Sequence, residues 1–574
     1  MSVSPSKTSI SYDAIVVGSG ITGGWAAKEL TERGLRTLVL EAGPPVDPVH
    51  DFAEHLPPWA MPYRGYRNRR AMSHDQPIQQ QCFFACDEWA SKFFVNDREN
   101  PYTTPPDAPF AWIRGRHVGG RSIMWGRQVY RWSDLDFDAN ARDGIAVDWP
   151  IRYADLAPWY DYVERFIGVS GHAEGLAQLP DGHFLPPMAL SCAEIAVRDA
   201  MERRWGRARV LTIGRTATLT VPHGGRAPCH YCGPCHRGCS TFSYFSSLSA
   251  TLPAATRTGR MTLQPNSVVE RVLYDERTDR VTGVRVIDAT TRHATEYRAR
   301  VVFLCASTLE STRLLLNSKT PRFSDGLANS SGVLGKYLMD HVFGVGAEGT
   351  LPGMEHEQMT GRRPTGIYVP RFRNLAPRRH RAPGAPHFVR GYAFQGAASR
   401  RGWQRGLDMP GFGAAFKASL SRLGPWQMSF GGFGECLPQA DNGVALHPTL
   451  TDKWGIPALT IRCVRGANEH ALIHDMQQSA VELLDAAGAT DIQPYNEQLP
   501  PGLCIHEMGT ARMGRDPKTS VLNRWNQCHD VPNLFVTDGA CMTSSACQNP
   551  SLTYMALTAR ACDYAVRQLH THVL

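Results

Sequence analysis

Four of the fifteen cysteines crowd into one stretch, APCHYCGPCHRGCS, at Cys229, Cys232, Cys235 and Cys239. The C-x2-C-x2-C-x3-C spacing is that of an iron–sulfur ligand run. Thiolates are soft ligands, and the GPC insert keeps them close on a tight loop. A zinc knot is the competing chemistry, because zinc also takes four thiolates. Disulfides or free thiols are the remaining alternatives. The spacing does not choose between [4Fe-4S] and [3Fe-4S], since a three-iron form uses three thiolates and Cys239 is set off by the longer gap. His230 and His236 lie inside the run as further candidate ligands, although exposed loop histidines are commoner. The other eleven cysteines are odd in number and irregularly spaced, which speaks against a disulfide framework.

A second signature lies at the other type of chemistry, the holding of phosphates. Gly18, Gly20 and Gly23 form G-x-G-x-x-G. The first glycine permits a tight turn, the second lets backbone approach a pyrophosphate, and the third lets helix and strand pack closely. Glu41, about 20 residues on, is placed to meet a ribose hydroxyl. The motif alone does not separate FAD from NAD.

These residues need elements to hold them. YDAIVVG reads as a short buried strand, GWAAKELTERG as a helix and RTLVLEAG as a second strand, a βαβ start that puts phosphates on a helix N-terminus. ADLAPWYDYVERFIG (154–168) is an amphipathic helix. NSVVERVLYD and DRVTGVRVID pair as a hairpin. ARVVFLCAS is a buried strand followed by the helix STLESTRLLLNS. NLFVTDGA is a late strand, and NPSLTYMALTARACDYAVRQL a closing helix. Between about 330 and 500 the pattern turns polar, aromatic and strand-like, which predicts a second domain. From Arg362 to Arg405 there are eleven arginines and no acid. Solvated loops are the plain expectation; a subunit interface or anion site is the sharper one.

The chain has 574 residues, 42% of them hydrophobic, enough for more than one folding unit. A net charge of +8 is mild for this length and argues against nucleic-acid binding. No apolar run of about 18 residues is present, so no membrane span is expected. The first residues lack a signal-peptide core and a twin arginine, so the chain taken alone is expected in the cytoplasm.

GLCIHEMGTARMG supplies His506, and ACQNPSLTYMALTARA supplies Asn549, 43 residues later. Together with the glycine fingerprint, GRHVGGRSIMWG (115–126) and Asp538-Gly539 after the late strand, these residues resemble the glucose–methanol–choline (GMC) oxidoreductase family. The likeness touches nearly the whole chain, most clearly its two ends. It implies an α/β fold: a Rossmann-like FAD domain from segments near 8–45, 105–135, 225–330 and 500–574, and a substrate domain on an antiparallel sheet from 46–104, 136–224 and 331–499. It implies FAD rather than NAD, oxidation of CH–OH groups, His506 as base and Asn549 as its partner. Gly119, Gly120 and Ser122 should run beneath the flavin. Val269, Asp538, Gly539 and Pro550 join the expected cofactor contacts. Met124, not histidine, precedes Trp125, so the FAD is expected to be non-covalent. Arg121 departs from the small residue usual in this loop.

The chemistry suits such a pair. Taking hydride from a hydroxyl-bearing carbon requires the O–H proton to leave as well, and a histidine accepts it near neutral pH. Asn549-Pro550 reads as a helix cap followed by proline at the first helical position, a positive helix end facing reduced flavin. Within the family, the cysteine run is similar to that of bacterial multi-subunit sugar dehydrogenases. Those carry a cluster in a catalytic subunit exported with a small signal-bearing partner and deliver electrons to an external acceptor such as cytochrome c. GSGITGGWAAKELTERG and HEMGTARMGRDPKTSVLN look most like the glucoside 3-dehydrogenase group, which implies C3 oxidation of a glucoside in the periplasm. A gluconate- or glucose-type dehydrogenase and a pyranose oxidase are close alternatives. A different class is a flavin-containing subunit whose zinc knot is a docking surface.

Overall fold

A computed structural model of the chain describes residues 11–571 and 573, apart from 66–67, 83, 359–360, 377–385 and 408. The first strand, β1 (Ser11–Val17), is followed by helix α1 (Ile21–Glu32) and strand β2 (Thr37–Leu40). Four further strands join them: β3 (Met261–Gln264), β4 (Ser267–Asp275), β5 (Arg280–Asp288) and β6 (Ala294–Leu304). The order is β3-β2-β1-β6-β5-β4, parallel through β3-β2-β1-β6 and antiparallel from β6 to β4. The hairpin read from the sequence is β4–β5.

The parallel strands are apolar on both faces because both faces are covered. Ile15, Val17, Leu38, Leu40, Val302 and Leu304 point into one core. Ala14, Val16, Val39, Val301 and Phe303 point into another, shared with Ala26, Ala27 and Leu30 of α1. The first core is closed by helix α2 (Tyr153–Ile167), through Leu156, Tyr160 and Val163, and by helix α3 (Thr308–Asn317).

The second sheet has six strands, all antiparallel: β7 (Val345–Leu351), β8 (Ile367–Val369), β9 (Tyr392–Arg400), β10 (Trp426–Gly434), β11 (Thr490–Asn496) and the short strand Thr212–Ile213. Helix α4 (Ala467–Ala486) covers one face. Burial along β10 alternates strictly, as a half-covered strand requires. Residues 426, 428, 430, 432 and 434 are buried. A Cβ on Gly432 would meet Met476 Sδ at 2.1 Å, and one on Gly434 would meet Leu472 at 2.5 Å, so bare backbone is what lets α4 approach here. The opposite face carries Phe433 and, on β9 in register with Gly431, Gln395.

The chain then returns to the first sheet. Strand β12 (Leu534–Val536) pairs parallel with β6, stacking Phe535 on Phe303 with ring centroids 4.8 Å apart. Each of these fully buried rings contributes roughly 1.5–3 kcal/mol through burial. Helix α5 (Ser551–His570) packs beside α1 through Ala561, Ala565 and Leu569.

Part of the arginine-rich stretch is tied into the structure rather than solvated, while Arg362 and Arg401 are exposed. Arg390 is fully buried between Asp143 (2.8 Å) and Glu435 (2.7 Å). Arg363 pairs with Glu194 at 2.6 Å and Arg373 with Asp475 at 2.9 Å. Arg371 is buried beside the same Glu435. The acids this stretch lacks come from elsewhere in the chain. Arg378, Arg379 and Arg381 lie outside the described residues.

Candidate active site

Both sheets border one cavity of about 420 Å³. The glycine fingerprint forms one wall. Gly18 has φ +96°, and a Cβ there would meet the Cys305 carbonyl oxygen at 2.5 Å. Gly23 lies behind the wall, where a Cβ would sit 1.9 Å from the Gly18 carbonyl oxygen. Gly20 borders the cavity and has open space at its Cβ. No side chain caps the start of α1, so its first-turn N–H groups are left to an anion. The Glu41 carboxylate accepts from Ser19 N–H (3.0 Å), Ser19 Oγ–H (2.6 Å) and Gly43 N–H (3.0 Å). Burial holds its pKa above the ordinary range despite these bonds.

The 115–126 loop meets the fingerprint. Gly119 N–H donates to Ser19 Oγ at 3.0 Å, and Gly120 packs on Gly20. Ser122 Oγ–H donates to the Gly119 carbonyl at 2.5 Å and accepts from Ser247 N–H at 3.0 Å. Ser247 Oγ–H in turn donates to the Gly20 carbonyl at 2.8 Å. Ser122, Val269, Asp538, Gly539 and Pro550 all border the cavity. Burial pushes the Asp538 carboxyl up to about 6. Arg121 is neutralised by Glu507 at 3.0 Å. A narrow glycine cradle, an uncapped helix start and a buried acid at the end of β2 together fit a dinucleotide such as FAD.

His506 and Asn549 meet in the same cavity, with Asn549 Nδ2 3.4 Å from His506 Nε2. Asn549 is not a helix cap: its side chain makes no bond to the N–H groups of α5, which begins after Pro550. Gln395 Nε2–H donates to Asn549 Oδ1 at 2.6 Å instead. That bond fixes the amide orientation and turns the Asn549 donor toward His506.

Local spacing did not reveal Asp340 and His341, which lie 165 residues or more from His506 in the chain. The Asp340 carboxylate accepts from the N–H groups of Gly502 (2.7 Å), Cys504 (3.3 Å) and His506 (3.1 Å). It thereby holds a loop in which Ile505 has φ +63°, a costly conformation for a β-branched residue. Burial, and then Glu507, push the Asp340 carboxyl up to about 6.

His341 decides which nitrogen of His506 carries its proton. His341 Nε2 lies 3.2 Å from the Ser545 carbonyl oxygen, which can only accept. Nε2 is therefore the protonated nitrogen. Burial pushes the His341 pKa down to about 4, so its Nδ1 keeps a lone pair at neutral pH. That Nδ1 lies 3.0 Å from His506 Nδ1, which must donate. The His506 lone pair is then on Nε2, facing Asn549. Burial, then His341 and Arg121, hold the His506 pKa well below the usual histidine value.

The cysteine loop adjoins this cavity through the segment that follows it. Trp125 Nε1–H donates to the Phe245 carbonyl at 2.8 Å, and Trp125 and Arg127 line the cavity. Cys239 is buried; Cys229, Cys232 and Cys235 are half-buried. Burial, reinforced by the neighbouring thiols, pushes Cys232 up to about 11. His236 faces Asp87 (2.7 Å) and His230 faces His55 (3.1 Å). Among the described residues, the four cysteines supply no set of three ligand atoms within 4.8 Å of one another.

The chain matches two family models, both described as GMC oxidoreductase, over residues 12–343 and 438–558. It is 30% identical to 2-methyl-1,2-propanediol dehydrogenase of Mycolicibacterium austroafricanum, covering 97% of this chain and 95% of that protein. It is 26% identical to the fructose dehydrogenase large subunit of Gluconobacter japonicus, covering 98% and 99%. Its fold matches a formate oxidase variant from Aspergillus oryzae with a TM-score of 0.61, at 14% identity and over 99% and 100% of the two chains. The chain belongs to the GMC oxidoreductase family, FAD-dependent enzymes that oxidise CH–OH groups.

Proposed function

We propose that the chain oxidises a secondary hydroxyl of a glucoside or related sugar, at C3, to the ketone, with His506 Nε2 accepting the hydroxyl proton. The observation that carries the reading is the hydrogen-bond order Ser545–His341–His506, which leaves the lone pair at Nε2. Asn549, oriented by Gln395, offers a donor to the substrate oxygen as its proton departs. His341 remains an acceptor for His506 once that ring is charged. Bound FAD would supply the hydride acceptor for the carbon. The fingerprint, Glu41 and the Gly119–Ser122 loop would hold it, non-covalently because Met124 offers no histidyl bond.

The sugar assignment draws on the fructose dehydrogenase relative, and the C3 position on the similarity of the two end motifs to glucoside 3-dehydrogenases. The test is anaerobic mixing with a sugar panel, followed by NMR of the product. Glucosides should bleach the flavin and yield the C3 ketone. A C1 or C2 product overturns the regiochemistry; a flavin that stays oxidised with every sugar overturns the sugar reading.

Cys229, Cys232, Cys235 and Cys239 would hold an iron–sulfur cluster, which supplies one-electron transfer to an external carrier such as cytochrome c. The reading rests on the ligand spacing and on the four thiols being electrostatic neighbours. A small partner subunit is proposed by analogy with the relative named as a large subunit. The chain should then reach the periplasm only when that partner, bearing the export signal, is co-expressed. Fractionation that finds unaided export contradicts this.

A further inference from the structure

His341, Cys504 and His506 bring three ligand-type atoms within 4.8 Å of one another. His341 Nδ1 and His506 Nδ1 are 3.0 Å apart, and Cys504 Sγ is 3.3 Å from His506 Nδ1. Zinc bonds of about 2.0–2.1 Å to nitrogen and about 2.3 Å to sulfur imply tetrahedral edges of about 3.4 and 3.6 Å. Those two edges need to open by only a few tenths of an ångström, and the third lies within 4.8 Å. Imidazole and thiolate are the donors that borderline divalent ions prefer. The second layer is also that of a metal ligand, since His341 gives its other ring N–H to a backbone carbonyl.

We propose that this triad binds a zinc-type divalent cation behind His506 and that the ion switches off the base without occupying the substrate's place. The inference rests on the reading of His506 as base. The ion takes the place of the proton shared by the two Nδ1 atoms. Cys504 Sγ–H releases its proton to solvent and ligates as thiolate. The Nδ1 proton of His506 is displaced, and Nε2 takes one up, so the ring stays neutral. One proton leaves in all. Nε2 is the atom that must be bare to receive the substrate proton, so the tautomer that suits the metal is the one that cannot act. The ion and one thiolate carry a net single positive charge, near the Asp340 carboxylate that accepts from the Cys504 and His506 N–H groups. Cys504 and His506 both border the cavity, which gives the ion its path.

The test uses the flavin-loaded enzyme, zinc chloride as probe, and Cys504→Ala. Calorimetry should count one zinc equivalent more on the wild type than on the variant. In anaerobic rapid mixing, zinc should suppress flavin reduction in the wild type by at least tenfold, and excess sugar should not relieve it. The variant's rate of flavin reduction, whatever its value without zinc, should be unchanged by the same zinc concentration. Equal zinc stoichiometry in both proteins overturns the site. An extra equivalent with undiminished reduction overturns the switch. His506→Ala, measured without zinc, reports separately on whether His506 is the base.

Discussion

His506→Ala should bind FAD normally and lose about 10²–10⁴-fold in the rate of flavin reduction by substrate, the range expected for a removed acid–base group. Rapid mixing under anaerobic conditions reads that rate directly. Near-wild-type reduction removes His506 from the mechanism. Acid precipitation should release all flavin to the supernatant from both proteins, because the attachment expected from Met124 is non-covalent. The pH profile gives a second reading. The base works unprotonated, and burial with Arg121 nearby depresses its pKa. Reduction should therefore persist below pH 6.5 and decline only as the pH falls through the lowered value. A decline already centred at the ordinary histidine value would mean that the ring is solvated during reaction.

Cys232→Ser is expected to damage or remove the proposed cluster. Wild-type protein should contain iron and acid-labile sulfide with little zinc, and give paramagnetic resonance signals that change on dithionite reduction. In the variant, sugar should still reduce the flavin, since the cofactor's cradle is built by other residues. Delivery to a one-electron carrier should fall to near background. Stoichiometric zinc, no cluster absorbance and lost folding stability as the main effect would identify a zinc knot instead. Full carrier turnover without iron would leave no role for a relay.

The first βαβ unit was legible because its signals are local: glycines at fixed offsets and apolar strands of the right length. The hairpin β4–β5 and helix α2 were legible for the same reason. His506 and Asn549 were found through their motifs, yet the role assigned to Asn549 as a cap failed. Cap propensity is a short-range preference, and a bond from Gln395 on the distant β9 overrides it. Asp340 and His341 carried no local signal. What makes them matter is the fold that lays residues 338–342 beside 502–508. The pairing of Arg363, Arg371, Arg373 and Arg390 was not legible because composition counts charge within a window. Asp143, Glu194, Glu435 and Asp475 lie outside it.

Arg390 bears on how this protein can change over time. It is fully buried, paired with Asp143 and Glu435, and it donates to Asn140 at 2.7 Å. Asn140 also reaches the Thr543 carbonyl, just ahead of the Asn549 segment. Altering any one of the charged members strands a buried charge, at a cost of about 3–5 kcal/mol, whereas exchanging the whole set, Arg371 beside Glu435 included, for well-packed apolar residues costs little. Single substitutions must therefore cross a valley that a concerted replacement avoids. The four charged residues persist as a block. Adaptation to new substrates is left to positions such as Phe433 and Phe343, which face the cavity without carrying the sheet's buried charge.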